Sequence, residues 1–474
     1  MSQQCRDAEK AVPADYQREV ISFAENDSEN PFKWSRTKKL FIVTIGIVAI
    51  LNSTLDSSLP SGAIKLIAKD FEVTQDIQLV LPISVYLVGY ILGPLFFSPL
   101  SERYGRRLVL VPTFVLFTAF TGACAGARNW ASFLVFRLIC GINASSSIAI
   151  TSGIYADIFE DPVVRGRAIA FYISATAFGP QFAPVISGAL SSVGWRWTFW
   201  VALVIAAVSL VPIVFLPETY KPVILRRKAR RLRSLNPDCH VYAPIEMGKQ
   251  DLQEMVTITL ARPIRMFCTE IIVFLSSVYL AFISGVYFLL FEAYPIIYQD
   301  IYGMGLVSTG LAFVPIAVGC IVAFLISLAW DRFFRNAHAQ GRSFTTVREY
   351  KRLPLACIGA PLCVVSVFWM GWSSSPRVHW IVPMLAGALF GAGFVLIFMA
   401  LLNYMTDAFP EFAASASAAA SCTRSVFGAL LPLAAPRMYA NLGIDLGMTV
   451  LGFVSLILSL VPFGLLWLGK QGRL

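Results

Sequence analysis

The chain has 474 residues, of which 57% are hydrophobic and only 14% are charged, and its mean hydropathy is +0.68. Soluble domains carry roughly 25% charged residues, so this composition excludes an ordinary soluble enzyme and indicates a protein whose solvent is lipid. The formal net charge of +10 does not indicate nucleic-acid binding, because the basic residues occupy alternate loops instead of one soluble face.

Residues 1–39 are polar and of mixed charge, without a short apolar core followed by a small-residue cleavage site. We therefore expect a cytoplasmic N-terminal tail and no cleaved signal peptide. The rest of the chain contains apolar segments of about 20 residues, long enough to cross a hydrocarbon core. Twelve spans are predicted, near residues 40–60, 77–97, 108–127, 131–154, 167–191, 198–216, 269–293, 306–328, 354–373, 379–404, 413–436 and 447–468.

The distribution of basic residues predicts the orientation of these spans. About thirty of the 38 Lys and Arg residues lie in the N-terminal tail, the even-numbered loops and the C-terminal segment 469–474. By the positive-inside rule these segments and both termini face the cytoplasm. We expect a multi-pass protein of the cell membrane. Because the sequence contains no recognisable targeting motif, an internal, vacuolar membrane is the alternative.

A long polar segment, residues 217–265, divides the spans into an N-terminal bundle at 40–216 and a C-terminal bundle at 266–468. Its basic run, residues 226–233, is either a solvated topology signal or a contact with anionic lipid. The pattern Ser-x-x-x-acid-Arg occurs after span two at 98–103 and again after span eight at 327–332, which indicates two related halves. The predicted fold is therefore an all-α integral membrane protein with twelve transmembrane helices in two six-helix bundles.

Two charged residues lie inside predicted spans of the first bundle. Arg137 is in span four, and a lone arginine at the centre of a bilayer costs at least about 2.5–3.5 kcal/mol, so it should face the interior and find a partner. Asp56, in span one, is the candidate partner. Two interpretations stay open: a structural salt bridge, or an acid that exchanges protons and loosens its hold on Arg137 when neutral.

The loop after span two resembles the Gly-x-x-x-Asp-Arg-x-Gly-Arg-Arg motif of the major facilitator superfamily. It reads Ser98-Pro-Leu-Ser-Glu102-Arg103-Tyr-Gly105-Arg106-Arg107. The resemblance implies a cytoplasmic gate held by charge-assisted hydrogen bonds in one state and released in another, formed by Glu102, Arg103, Gly105, Arg106 and Arg107. A basic loop that only sets the topology is the alternative. Arg137 with Gly141 likewise resembles the superfamily's Arg-x-x-x-Gly segment, which is associated with proton coupling.

Span five resembles the Gly/Pro-rich motif of the superfamily's proton antiporters. Its matching residues are Gly179, Pro180, Pro184 and Gly188, while Ala183 replaces an expected glycine. A helix kinked by Gly and Pro for packing alone is the alternative. The segments Gly194-Trp195-Arg196 and Pro217-Glu218-Thr219 narrow the resemblance to fungal-type twelve-span drug:proton antiporters.

Candidate substrate-binding residues end spans seven and ten. They are Glu292, Tyr294, Asn403 and Tyr404. Glu292 either attracts a cationic substrate or serves as an outer gate or structural residue. Arg424 in span eleven either contacts substrate or forms a structural ion pair, and the ion pair is expected. The aromatic candidates for an amphipathic pocket are Tyr86, Tyr90, Phe288 and Tyr404; packing or anchoring at the membrane interface is the alternative.

The resemblance implies a monomeric secondary transporter that exports a small organic compound, namely a drug, toxin, secondary metabolite or polyamine, in exchange for protons. An uptake symporter of the same fold, for a nutrient or polyamine, is the alternative. No cofactor, metal or nucleic acid is expected. An enzyme is disfavoured because no paired acids, metal ligands or activated nucleophile cluster in the sequence, and direct ATP drive is disfavoured because no Walker loop occurs. A channel is a further alternative, and it would pass an ionic current far above the turnover of a carrier.

Overall fold

The computed structural model describes residues 19–24, 27–235, 241–247, 252–409 and 412–470. The first 18 residues of the predicted tail, and residues 471–474 of the predicted cytoplasmic C-terminus, lie outside the described residues. Within the described ranges, eleven helices are long and apolar enough to cross a membrane.

Six of these helices form the N-terminal bundle. They are α1 (Arg36–Ser58), α2 (Asp76–Tyr104), α3 (Arg106–Ala125), α4 (Trp130–Ile158), α5 (Pro162–Leu190) and α6 (Trp195–Val214). Side-chain caps fix two of the starts, since Ser35 Oγ accepts from Lys38 N at 3.3 Å and Asn129 Oδ1 accepts from Ser132 N at 2.7 Å. Beyond α1, a 3₁₀ turn (Ser61–Ala63) leads to a short helix (Ile64–Asp70).

The C-terminal bundle begins with α7 (Ile271–Pro295), extended by a π-helical turn at Ile296–Ile301. The short helix Leu306–Leu311 then precedes α8 (Val314–Ala339), so the span predicted at 306–328 is broken near Ala312 and extends further than predicted. The next two helices are α9 (Leu353–Ser373) and α10 (Ile381–Ala408).

The last two spans are joined without a loop. A helix of 46 residues, Ala413–Leu458, would be about 69 Å long if straight, twice the roughly 30 Å of a hydrocarbon core. Gly443 interrupts it with φ of +78°, a conformation that glycine adopts readily. Gly443 therefore separates α11 (413–442) from α12 (444–458, continued by Leu460–Lys470), and the twelve predicted spans are present.

The N-terminal tail and the segment between the bundles fold together. Strand β1 (Glu19–Val20) pairs in parallel with β2 (Val241–Tyr242), beside a basic linker helix, Lys221–Leu235. Ile21 packs on the buried side of this helix with Leu225 and Ala229. A further helix, Leu252–Thr269, crosses the predicted boundary between linker and C-terminal bundle at 265/266.

The linker face is the end that carries the tail and the linker helix, and the distal face is the opposite end, where α1 and α7 finish. Because consecutive spans alternate in direction, α4 and α10 both finish at the linker face. Both bundles contribute to one large buried core, which continues across the boundary between them.

Candidate transport site

The structure brings Asp56 and Arg137 together, as expected from their positions in spans one and four. Arg137 Nη1 donates to Asp56 Oδ2 at 2.9 Å, and Nη2 donates to the carbonyl oxygens of Asp56 at 2.9 Å and Ser57 at 3.1 Å. Nε donates to Pro82 O at 3.1 Å. The side chains are 0% and 2% exposed, so the pair is shielded from solvent and lipid.

One oxygen of this ion pair is unused. Asp56 Oδ1 is buried and accepts no hydrogen bond from any described residue. On the other side, the guanidinium of Arg137 lies over the ring of Tyr86, 4.4 Å from its centroid. Tyr86 and Tyr90 both donate to Ser53 O, which ties α2 to α1 one turn before Asp56.

A narrow cavity of about 40 Å³ lies between the two bundles beside this pair. The N-terminal bundle contributes Thr54 and Ser57 of α1 and Tyr90 of α2, and the C-terminal bundle contributes Tyr287 of α7 and Arg424 of α11. A water occupies roughly 10–15 Å³ by this measure, so the cavity holds a few waters, whereas organic ligands need several hundred Å³. The bundles must therefore separate before a substrate fits.

Contacts between the bundles close the cavity on both sides along α5. Towards the linker face, the rings of Phe171 and Phe324 lie 5.9 Å apart. Towards the distal face, Gly188 packs on Leu306 so closely that an added Cβ would lie 2.6 Å from Leu306 O. Between these two contacts, the cavity is lined by Ile173, Thr176, Ala177 and Pro180.

The predicted aromatic pocket is only partly present. Tyr90 and Phe288 line the cavity, together with Tyr287, Phe394 and Phe398. Tyr86 lies behind Tyr90, with 5.2 Å between the ring centroids, and is fully buried.

The four predicted substrate-binding residues do not converge on the cavity. Glu292 lies one turn beyond Phe288, near the phenol of Tyr439, and makes no hydrogen bond or ion pair with a described residue. Tyr294 packs on Phe313 within the C-terminal bundle, 4.3 Å between centroids. Asn403 and Tyr404 lie at the other end of the molecule, near the linker face, where the Asn403 amide bonds back to Met399 O at 2.8 Å. Position along a helix gave no information about which face of it points inward.

Arg424 forms no ion pair with any described residue, contrary to expectation. It lines the cavity, and its guanidinium lies over an aromatic face, 5.0 Å from the centroid of Phe398, with Tyr90, Tyr172 and Tyr287 nearby.

The loop motif of span two forms a compact polar cluster at the linker face. Arg106 is 6% exposed; its guanidinium donates to Ser101 Oγ at 2.7 Å and to Asp157 Oδ2 at 3.3 Å, and lies 3.8 Å from Glu102. The carboxylate of Glu218 accepts from the backbone N–H of Arg106 at 2.9 Å and of Arg107 at 3.3 Å, which caps the start of α3.

Gly105 makes this cap geometrically feasible. Its φ is +112°, and a Cβ at this position would collide with the Glu218 carboxylate. Arg103, by contrast, leaves Nη1 buried without a hydrogen-bond partner among the described residues. Apart from Arg103, the cluster thus links α2, α3, α4 and the segment after α6 within a single bundle.

Asp157 was not predicted from the sequence to be a functional residue, and Glu218 was not assigned to this cluster. The signal for Asp157 was an acidic residue at the end of span four that recurs as Asp407 at the end of span ten. The structure shows the same relation in the C-terminal bundle, where Arg352 at the start of α9 donates to Asp407 Oδ2 at 3.0 Å. Asp331 and Arg335 also form a pair, at 3.6 Å, that matches Glu102 and Arg106. The two halves therefore share more than the repeated loop pattern.

The Gly/Pro motif brings α5 against α1. Pro184 has no N–H, which frees the carbonyl of Pro180, and Ser58 Oγ donates to that carbonyl at 2.7 Å. Gly179 lies so close to Thr54 that a Cβ would collide with its hydroxyl. Gln181 crosses to the other bundle and donates to Tyr287 OH at 2.6 Å.

An exposed ion pair joins the bundles at the distal face. Lys65 Nζ lies 2.8 Å from Asp300 Oδ1, and the side chains are 51% and 54% exposed. A second distal pair, Asp70 with Arg196 at 2.7 Å, lies within the N-terminal bundle.

Comparison with known proteins identifies the family. The model of the Major Facilitator Superfamily matches residues 46–432. "Efflux pump FUB11" of Gibberella moniliformis is 36% identical over 463 residues, which cover 96% of this chain and 76% of that protein. "MFS-type efflux pump MFS2" of Trichophyton rubrum is 37% identical over 453 residues, covering 94% and 75%.

Solved structures show the same fold at low identity. The proton:xylose symporter XylE has a TM-score of 0.65 at 18% identity, over 91% of this chain and 96% of that one. The human organic anion transporter MFSD10 has a TM-score of 0.61 at 17% identity, over 90% and 100%. Together with the twelve spans in two bundles and the cavity between them, these matches show that the chain is a membrane transporter of the major facilitator superfamily, related to fungal efflux pumps.

Proposed function

We propose that this transporter exports a small organic compound in exchange for protons, with Asp56 as the proton-exchanging group. The buried Asp56–Arg137 pair beside the cavity carries this proposal. Asp56 Oδ1 is free to take a proton, and protonation removes the charge that attracts Arg137. Because Arg137 also binds the carbonyls of Asp56 and Ser57, a change in this pair moves the part of α1 that lines the cavity.

Export, rather than uptake, is supported by two observations. The relatives that are 35–37% identical include proteins named as efflux pumps and as a multidrug transporter. The Gly/Pro residues of α5 resemble the motif of the superfamily's proton antiporters, and they lie at the contacts with α1 and with the C-terminal bundle. The proton gradient supplies the free energy for export: one proton crossing ~100 mV gives about 2.3 kcal/mol, and each unit of pH difference adds about 1.36 kcal/mol.

Inside-out membrane vesicles with an imposed acid-inside gradient test the proposal. A panel of labelled organic anions, neutral compounds and cations is offered to wild type, Asp56→Asn and Asp70→Asn, the last being a half-exposed acid in an ion pair at the distal face. We expect accumulation of a substrate by wild type and Asp70→Asn, and its loss in Asp56→Asn. Undiminished accumulation by Asp56→Asn would contradict the role of Asp56. Accumulation driven only by an acid-outside gradient would identify the uptake symporter instead.

A further inference from the structure

Arg424 is a cation near the centre of the molecule that forms no ion pair with any residue the structure describes. It lies 11 residues into α11, about 16 Å along the helix and so near the middle of a hydrocarbon core of about 30 Å. Its Nε is buried and has no hydrogen-bond partner among the described residues. Its guanidinium lies over the face of Phe398, 5.0 Å from the ring centroid, and near the phenols of Tyr90, Tyr172 and Tyr287.

None of the described residues that line the cavity around Arg424 is an acid that could neutralise it. Among the described residues that line the cavity, Arg424 is the one charged side chain; the other polar lining groups are hydroxyls, including those of Thr54, Ser57, Tyr90 and Ser425. The nearby acid of the N-terminal bundle, Asp56, is already paired with Arg137 at 2.9 Å. The cavity therefore carries a net positive charge.

An unpaired arginine at this depth is costly unless a ligand uses it. A charged side chain in a membrane interior is expensive, and such residues mark substrate or ion pathways. The planar guanidinium of arginine presents donors that match the oxygens of a carboxylate or sulfonate in a bidentate geometry. A cation at the same place would be repelled, because like charges interact strongly where water is excluded. The neighbouring rings of Phe288, Phe394 and Phe398 suit an apolar or aromatic ligand body.

We propose that Arg424 binds the acidic group of the transported compound, so that the substrates are organic anions with an apolar body and not cations. This inference rests on the proposed transport function and specifies its substrate class. Exchange of one proton for one monovalent anion moves two charges in the same electrical direction. The membrane potential therefore drives transport of such a substrate with about twice the free energy that it supplies for a neutral one.

Equilibrium binding to the full chain in lipid nanodiscs tests the substrate class without a proton gradient. Three labelled probes of matched shape are used: 4-butylbenzenesulfonate as anion, 4-butylbenzenesulfonamide as neutral compound, and (4-butylphenyl)trimethylammonium as cation. We expect the anion to bind wild type at least 10-fold more tightly than the other two. Arg424→Gln should weaken anion binding about 10- to 100-fold, with less than about 3-fold change for the neutral probe, because one charge-assisted interaction is lost.

Two further variants separate charge from packing. Arg424→Lys retains the charge and should keep the preference for the anion, with weaker binding because the fork of donors is lost. Arg437→Gln removes an exposed arginine of the same helix and should bind all three probes as wild type does. If Arg424→Gln does not fold, the relative affinities of the wild-type protein for the three probes still test the substrate class.

Equal or tighter binding of the neutral or cationic probe by wild type, or equal weakening of all three probes by Arg424→Gln, would overturn the proposal. This failure is distinct from a failure of proton antiport. Binding that prefers the anion, without gradient-driven transport in vesicles, would leave the site standing and remove the antiport mechanism. Antiport that depends on Asp56 and selects cations would support the antiport mechanism and rule out the anion site at Arg424.

Discussion

Arg106 is the residue on which the linker-face cluster depends most. Its guanidinium is shared between Ser101 Oγ, Asp157 and Glu102, and it lies over the ring of Tyr220, 4.9 Å from the centroid. The side chain of Asp157 is 15% exposed, so loss of Arg106 leaves a carboxylate largely buried without a counter-charge. We expect Arg106→Gln to lower the free energy of unfolding by about 2–4 kcal/mol, measured by thermal or denaturant unfolding in detergent.

Two comparisons isolate the cause of that loss. Arg107→Gln changes the neighbouring exposed arginine and should cost at most about 1 kcal/mol. The double variant Arg106→Gln with Asp157→Asn should recover part of the stability, because no unpaired carboxylate is left. Equal destabilisation by the double variant and the single variant would show that the electrostatic explanation is wrong.

The Asp56–Arg137 pair shows how far sequence reasoning reaches at a single residue. A lone arginine in an apolar span requires a partner, and span one offered an acid, so the contact was predictable. It was not predictable that Arg424 points into the cavity, or that Glu292 and Asn403 lie away from it. These orientations depend on helix rotation, which hydropathy does not encode, because every face of an interior membrane helix is apolar.

At the scale of whole elements, hydropathy identified the spans but not their ends. The predicted loop at 437–446 is helical except around Gly443, and α8 continues about eleven residues beyond its predicted end at 328. A helix that extends past the lipid gains polar residues but keeps its backbone hydrogen bonds, so the change in composition marks the membrane surface and not the helix end.

The packing of the tail against the linker was also not predictable, because each partner alone resembles a solvated segment. Asp27 lies in an ion pair with Lys228, and Glu246 binds Arg233 at 2.9 Å. Burial raises the pKa of both carboxyls, but hydrogen bonds from these cations and from backbone N–H groups outweigh it, so both pKa values lie below the ordinary 3.8 and 4.5. The charged forms therefore stabilise the docked tail.

The pH dependence of tail docking follows from the sign of these shifts. A lowered carboxyl pKa gives a stabilisation that is complete above the ordinary pKa and is lost as the pH falls through the value in the folded protein. We expect the amides of residues 19–24 to be protected from hydrogen exchange equally at pH 7 and pH 6, and to lose protection below about pH 4. Asp27→Asn should weaken protection already at pH 7, whereas Glu29→Gln, an exposed neighbour, should not. Protection that increases towards low pH would contradict this assignment.

For the whole molecule, the two bundles must move relative to one another, because the cavity of about 40 Å³ is too small for an organic substrate. The repeated pairs Arg106–Asp157 and Arg352–Asp407 each lie within one bundle, so they make each bundle rigid without joining the two. The Lys65–Asp300 pair does join them, but an exposed ion pair contributes about 0–1 kcal/mol. This ion pair is therefore weak enough to break in each transport cycle.

A cross-link at this contact tests the required movement. Lys65→Cys with Asp300→Cys, joined by a short bifunctional thiol reagent, should abolish transport in vesicles, while the unreacted double variant should transport at a rate near wild type. The matched control is Asp70→Cys with Arg196→Cys, because that pair has similar exposure at the same face but lies within one bundle, and its cross-linking should leave transport intact. Transport that survives the Lys65–Asp300 cross-link would mean that the distal ends stay together, and that substrate leaves by another route.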